Sequence, residues 1–132
     1  MTQPDMKRLS PRFLLGLGVS YTLFITYISL TPPPDVEVVS WPYVDKLAHL
    51  AIHSALVFIW LGVVYATDRY HIISRKWMLA LVICFLYGIV IEAFQHWFTR
   101  TREFDLIDIV ANGIGGLIGF LTFWILSRRR VF

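Results

Sequence analysis

Charge is scarce in this chain: only 16% of its 132 residues are Asp, Glu, Lys or Arg, while 57% are hydrophobic. With a mean hydropathy of +0.63, that balance lies well to the apolar side of an ordinary soluble domain and excludes one. Cysteine is nearly missing. The single Cys84 falls inside an apolar run, so no intramolecular disulfide can form. Internal repeats and low-complexity tails are absent as well. Proline is concentrated in one place, Pro32 to Pro34, where three in succession favour a stiff, extended segment over a helix.

What the chain does have is long apolar runs. Crossing roughly 30 Å of hydrocarbon takes about 20 residues of helix. Four such runs are present, from about Phe13 to Leu30, Lys46 to Ala66, Trp77 to Trp97 and Leu106 to Leu126. The expected fold is therefore all-α, an integral membrane bundle of four transmembrane helices forming a single domain over residues 1–132. Lys7, Arg8 and Arg12 ahead of the first run mimic a secretion signal, but the run is long and ends without a small-residue cleavage pattern, so it is expected to be a retained span.

Basic residues set the expected orientation. Lys7, Arg8, Arg12, Arg69, Arg75, Lys76, Arg128, Arg129 and Arg130 fall on the side of the termini, against Lys46, Arg100 and Arg102 on the other. The positive-inside rule then predicts a multi-pass protein of the cell membrane with both termini cytoplasmic. Trp41 and Trp97 are expected at the outer boundary and Trp77 and Trp124 at the inner one, as an aromatic belt. The net charge of +3 reflects the inner basic rim near anionic headgroups, and no nucleic-acid partner is called for.

Against this background the polar residues stand out. Asp45, His49 and His53 are spaced by four and form one stripe on the second span. Glu92, Gln95 and His96 lie three and four apart on the last turns of the third. Asp105, Asp108 and Asn112 follow at i, i+3 and i+7 on the opening turns of the fourth. Topology brings all three stripes to the outer side. An ionised side chain facing lipid at the membrane centre costs on the order of 2.5 to 3.5 kcal/mol, so the stripes are expected to face one another. Below them, Gly88 and Cys84 on the third span and Ala111, Gly115 and Gly119 on the fourth predict close helix approach in the inner half, leaving a polar cup in the outer half. The same small residues would equally serve a homo-oligomer. Asp45, Glu92, Asp105 and Asp108 face Lys46, Arg100 and Arg102, a balance that asks either for a protonated carboxylate or for a bound cation.

The segments V-D-K-L-A-H (Val44 to His49), E-A-F-Q (Glu92 to Gln95) and R-E-F-D-L-I-D-I-V-A-N-G-I-G-G-L-I-G (Arg102 to Gly119) together resemble the VanZ-like family, over roughly Asp45 to Gly119. The resemblance places the family's polar signature on Asp45, Lys46, His49, Glu92, Gln95, Arg102, Asp105, Asp108 and Asn112. The loop after Gln95 is a residue longer than the usual family spacing and lacks its common proline; of Arg100 and Arg102, the latter better fits the run that follows. The family is named for an accessory protein of glycopeptide resistance that lowers susceptibility to teicoplanin, a lipidated antibiotic. The resemblance thus implies a role at the cell envelope.

Two chemistries fit the polar set. As a binding site, Lys46 and Arg102 would take phosphate or carboxylate, Gln95 and Asn112 would hydrogen-bond sugar or amide, and Asp45 and Asp105 would take cationic groups of a membrane lipid or lipid-linked envelope molecule. As a hydrolase or transferase, the chain would use His49 as general base, Glu92 or Asp108 as acid or orienting partner, and Arg102 against developing negative charge. A metal-dependent variant would draw on His49, His53 and a carboxylate, although neither reading requires a cofactor. The bland alternatives are that Asp105 caps the fourth helix, that Gln95 and Asn112 are interhelical glue, that His53 is a satisfied bundle histidine, and that Cys84 only packs.

Overall fold

Each apolar stretch forms one helix: α1 (Pro11–Leu30), α2 (Val44–Thr67), α3 (Arg75–Phe98) and α4 (Leu106–Arg128). The computed structural model describes residues 9–31, 43–68, 73–99 and 103–129, and among them there is no strand. Helices of 20 to 24 residues, at about 1.5 Å per residue, reach roughly 30 to 36 Å. All four are long and apolar enough to cross a membrane. Their ends follow local rules. Ser10 accepts a hydrogen bond from Phe13 N–H at 3.2 Å ahead of Pro11, whose fixed φ suits a first helical position. Asp105 caps α4 by accepting from Ile107 N–H at 2.8 Å.

Side chains such as Leu23, Phe24, Leu79 and Leu106 remain largely exposed on the outside of the bundle, a surface suited to lipid. In that solvent helices gain little from hiding apolar area from one another, and close packing and interhelical polar bonds hold them together instead. The most extensive pairing joins α2 and α4, two helices that run parallel because both begin at the end of the bundle opposite the termini. The contact is backbone on backbone. A Cβ added at Gly115 would lie 2.2 Å from the Leu50 carbonyl oxygen, and one at Gly119 2.2 Å from that of Ser54.

α1 lies at the periphery and is fastened by a ladder of polar bonds. Tyr21 hydroxyl donates to the Ile52 carbonyl at 3.0 Å, Trp60 Nε1 to Thr22 Oγ1 at 3.1 Å, and Gln95 Nε2 to the Ser29 carbonyl at 3.0 Å. Thr26 and Tyr87 share a hydroxyl pair at 2.7 Å. Each such bond within a membrane contributes about 0.6 to 2 kcal/mol.

The half of the bundle nearer the termini differs from the sequence expectation. It is filled by rings rather than narrowed by glycines: Trp77 packs edge-on against Tyr65, Phe120 and Phe123, with centroids 5.3 to 6.2 Å apart. Trp77 is therefore fully buried and not part of an aromatic belt; beginning a helix did not put it at the surface, because the adjacent ring cluster needed its volume. Trp97 is exposed, and Trp124 carries the Arg128 guanidinium 4.6 Å above its ring. Trp41 lies outside the described residues. Cys84 is buried within the same apolar core. The close approach promised by the glycines occurs higher up, beside the polar stripes.

The α2–α4 contact makes a direct prediction. Gly115→Ala should destabilise the protein by about 1 to 3 kcal/mol through overpacking against an unyielding carbonyl. Gly16→Ala, where nothing lies within 4 Å, should be neutral or slightly stabilising. Thermal unfolding in detergent compares them, and equal midpoints would rule out the backbone contact.

Candidate functional site

The α2–α4 contact sets the register of everything above it. With Gly115 seated on Leu50, Asn112 falls beside His49 and Asp108 beside Lys46, one turn at a time toward the distal end. His49, Glu92, Asp108 and Asn112 are all buried, as the expectation that the stripes face inward requires.

Lys46 stands at the centre of the charges. Its ammonium lies 2.7 Å from Asp108 Oδ1, donates to Asp105 Oδ2, and stands 3.9 Å from Asp45 Oδ2. His49 faces the same aspartates from the other side: its Nε2 is 3.9 Å from Asp45 Oδ1 and 3.8 Å from Asp108 Oδ2. Both Asp45 and Asp108 thus turn one oxygen to Lys46 and the other to His49. Behind the imidazole, Nδ1 lies 3.1 Å from Asn112 Oδ1. An amide oxygen only accepts, so Nδ1 carries a proton and Nε2 is the nitrogen that faces the carboxylates.

Glu92 ties α3 to α4. Its Oε1 accepts from Asp105 N–H at 3.1 Å, while buried Oε2 has no hydrogen-bond partner among the described residues. Asp105 therefore does two things: it caps α4 and it holds Lys46. The Lys46 ammonium, and secondarily the Ile107 N–H, keep the Asp105 carboxyl below its ordinary value of 3.8.

The remaining candidates divide. Gln95 turns toward α1 through Ser29 and also walls a cavity of about 120 Å³ with Asp45, His49, His53 and Ile28. His53 is buried against the position of Gly88, where an added Cβ would come within 2.8 Å of its ring. Among the described residues, the group able to surround a metal ion is Asp45, His49 and Asp108, and His53 is not in it. His96 is exposed. Arg100 and Arg102 lie outside the described residues. Sequence reasoning missed the α1 ladder; Thr22 and Thr26, four apart on one face of an apolar helix, were the available signal.

A second cavity, of about 420 Å³, opens between α3 and α4. It is lined by apolar side chains including Leu81, Phe85, Ile114 and Leu117, with His53 and Asn112 among its walls. Asn112 Nδ2 is buried and has no hydrogen-bond partner among the described residues. The polar cluster and the apolar groove thus meet at one amide.

The sequence pattern of the family described as VanZ/LLP1 matches residues 9–127. An uncharacterized protein of Schizosaccharomyces pombe is 28% identical over 120 residues, which cover 89% of this chain and 67% of that protein. No solved structure matches the chain.

The Asp105–Lys46 pair has a pH signature. Because the folded carboxyl titrates below 3.8, its stabilising effect is fully present above that value and is lost as pH falls through the lower, folded one. Asp105→Asn keeps a competent cap but removes the charge. The difference in thermal midpoint between wild type and Asp105→Asn should stay constant from neutral pH to about pH 5 and close only in stronger acid. A difference that vanished already near neutrality would contradict the pairing.

Proposed function

The chain belongs to the VanZ/LLP1 family, and from that premise we propose that its distal site binds the polar headgroup of a membrane lipid or lipid-linked molecule, with an acyl chain lying in the groove between α3 and α4. One observation carries the reading. Asn112 is among the walls of the apolar groove and has its oxygen committed to His49, while its amide nitrogen is buried and unpartnered among the described residues. A buried donor without an acceptor costs about 1 to 3 kcal/mol, and a phosphate or ester oxygen at the head of an acyl chain would supply the acceptor.

The division of labour follows from the solvent. Lipid tails are as apolar as the groove, so the tail contributes shape and little net affinity. Selectivity then rests with the polar end. Lys46, and Arg102 four residues ahead of α4 in the sequence, would take the phosphate. Asp45, with its half-exposed carboxylate, would take an amine or hydroxyl. Both termini and the α2–α3 connection carry the basic residues, so the positive-inside rule turns the site to the outer face of the cell membrane. A lipid, a lipid-linked envelope precursor and a lipidated glycopeptide antibiotic all present this chemistry there: an apolar tail joined to a polar head.

Native mass spectrometry of the purified protein tests the proposal, with phospholipid, lipid-linked precursor and teicoplanin offered separately to tell the sources apart. At least one should bind, and Asn112→Leu should weaken it about tenfold, the equivalent of roughly 1.4 kcal/mol. Ile114→Trp, a change on an exposed wall of the groove, should weaken it as well by obstructing the tail. Wild-type protein that retains none of the three, or retains them equally in both variants, overturns the reading. Turnover of a bound lipid that His49→Ala abolishes without loss of binding would extend it to catalysis, with His49 as base and Glu92 or Asp108 as acid.

A further inference from the structure

We propose that Asp45, His49 and Asp108 form a binding site for one divalent metal ion of the Mn²⁺ or Zn²⁺ kind. The ion would be held by Asp45 Oδ1, His49 Nε2 and Asp108 Oδ2, with its remaining coordination positions open to water or a ligand.

Geometry is the first support. One ligand atom from each of the three residues lies within 4.8 Å of the others, and His49 Nε2 is 3.9 Å from Asp45 Oδ1 and 3.8 Å from Asp108 Oδ2. An ion seated among atoms so spaced lies about 2.2 to 2.5 Å from each, at or slightly beyond the bond lengths such ions form with nitrogen and oxygen. A closure of a few tenths of an ångström completes the contacts. One imidazole with two carboxylates is a donor set for borderline divalent ions rather than for soft ones.

The orientation of His49 is the second. Metal-bound histidines hand their other ring N–H to an oxygen acceptor, which fixes the tautomer and aims the lone pair. Asn112 does this for His49 at 3.1 Å. His49 is more than nine-tenths buried, and its Nε2 has no hydrogen-bond donor among the described residues. What it meets instead is two carboxylate oxygens, a setting that favours a cation at that nitrogen, and a metal ion competes there with a proton.

Charge and space agree. Among the described residues Asp45, Glu92, Asp105 and Asp108 have at this end one permanent cation, Lys46, which is already engaged by Asp105 and by the other oxygen of Asp108. Lys46 leaves Asp108 Oδ2 and Asp45 Oδ1 free for the ion and fixes the Asp108 carboxylate in position. Asp45 and His49 also border the cavity of about 120 Å³ beneath α1, room for about four waters at roughly 30 Å³ each, enough to complete a coordination sphere. The sequence-based metal variant named His53; the fold substitutes Asp45, one turn earlier on the same stripe as His49.

The inference does not depend on lipid binding, because the probe is the metal alone. Full-length protein in detergent, stripped with chelator, is titrated with Mn²⁺ while electron paramagnetic resonance reports the free ion. One Mn²⁺ should bind per chain and be displaced by Zn²⁺. Asp45→Asn, at a half-exposed position where folding is not at stake, should weaken binding at least about tenfold, as should Asp108→Asn; Asn112→Ala, acting through His49, should weaken it about 10- to 100-fold. Absence of stoichiometric binding by the wild type overturns the proposal, and so does binding that Asp45→Asn and Asp108→Asn both leave unchanged.

Discussion

Everything distinctive about this bundle depends on the contact of two α4 glycines with the backbone of α2. Gly115 and Gly119 have no side chain to hold the helices apart, and the Leu50 and Ser54 carbonyls occupy the space where a Cβ would be. Backbone contact at two successive turns fixes both the distance and the rotation of a parallel helix pair. Neither can slide without collision. Asn112 and Asp108, three and seven residues before Gly115, are therefore delivered to His49 and Lys46 with little freedom to go elsewhere.

This arrangement resolves an energetic problem. A membrane-spanning bundle pays several kcal/mol for each ion it leaves facing hydrocarbon, yet this chain draws the carboxylates of Asp45, Glu92, Asp105 and Asp108 together near one end. It groups them around Lys46, lets the first turn of α4 satisfy Glu92 through Asp105 N–H, and caps that helix with the residue that also holds the lysine. The cluster is only partly neutralised by the described residues, and what is left over is directional: an oxygen on Glu92 and an amide nitrogen on Asn112, each buried without a hydrogen-bond partner among the described residues. A purely structural cluster gains nothing from leaving such groups unanswered. A site that receives a headgroup or an ion does.

The same polar economy explains α1. It shares little apolar surface with the rest and is held by hydroxyl, indole and amide bonds spread along its length. Its distal turn, at Ile28 and Ser29, walls the small cavity beside His49, so the helix that contributes no charge to the cluster still shapes the space next to it. The ring cluster around Trp77 anchors the opposite half and leaves the distal half as the part of the bundle with internal polar space.

Much of this was legible in the amino acids. Run lengths of apolar residues fix the number of helices and place their ends within two residues, because the hydrocarbon thickness imposes the period. The spacing of Asp45 with His49, and of Asp105 with Asp108 and Asn112, marks helix faces, because 3.6 residues make a turn whatever the surroundings. Which faces meet is another matter. Sequence treats α2 and α4 as separated by a whole helix and cannot say that they pair most closely, that Lys46 rather than an arginine sits centrally among the described charges, that Asp45 and not His53 joins His49 and Asp108, or that Trp77 is buried. Those are outcomes of rotation about helix axes and of contact between segments distant in the chain. Local chemistry determined the helices and their polar stripes; only the glycine-to-carbonyl contact, a tertiary event, decided how the stripes combine into a site.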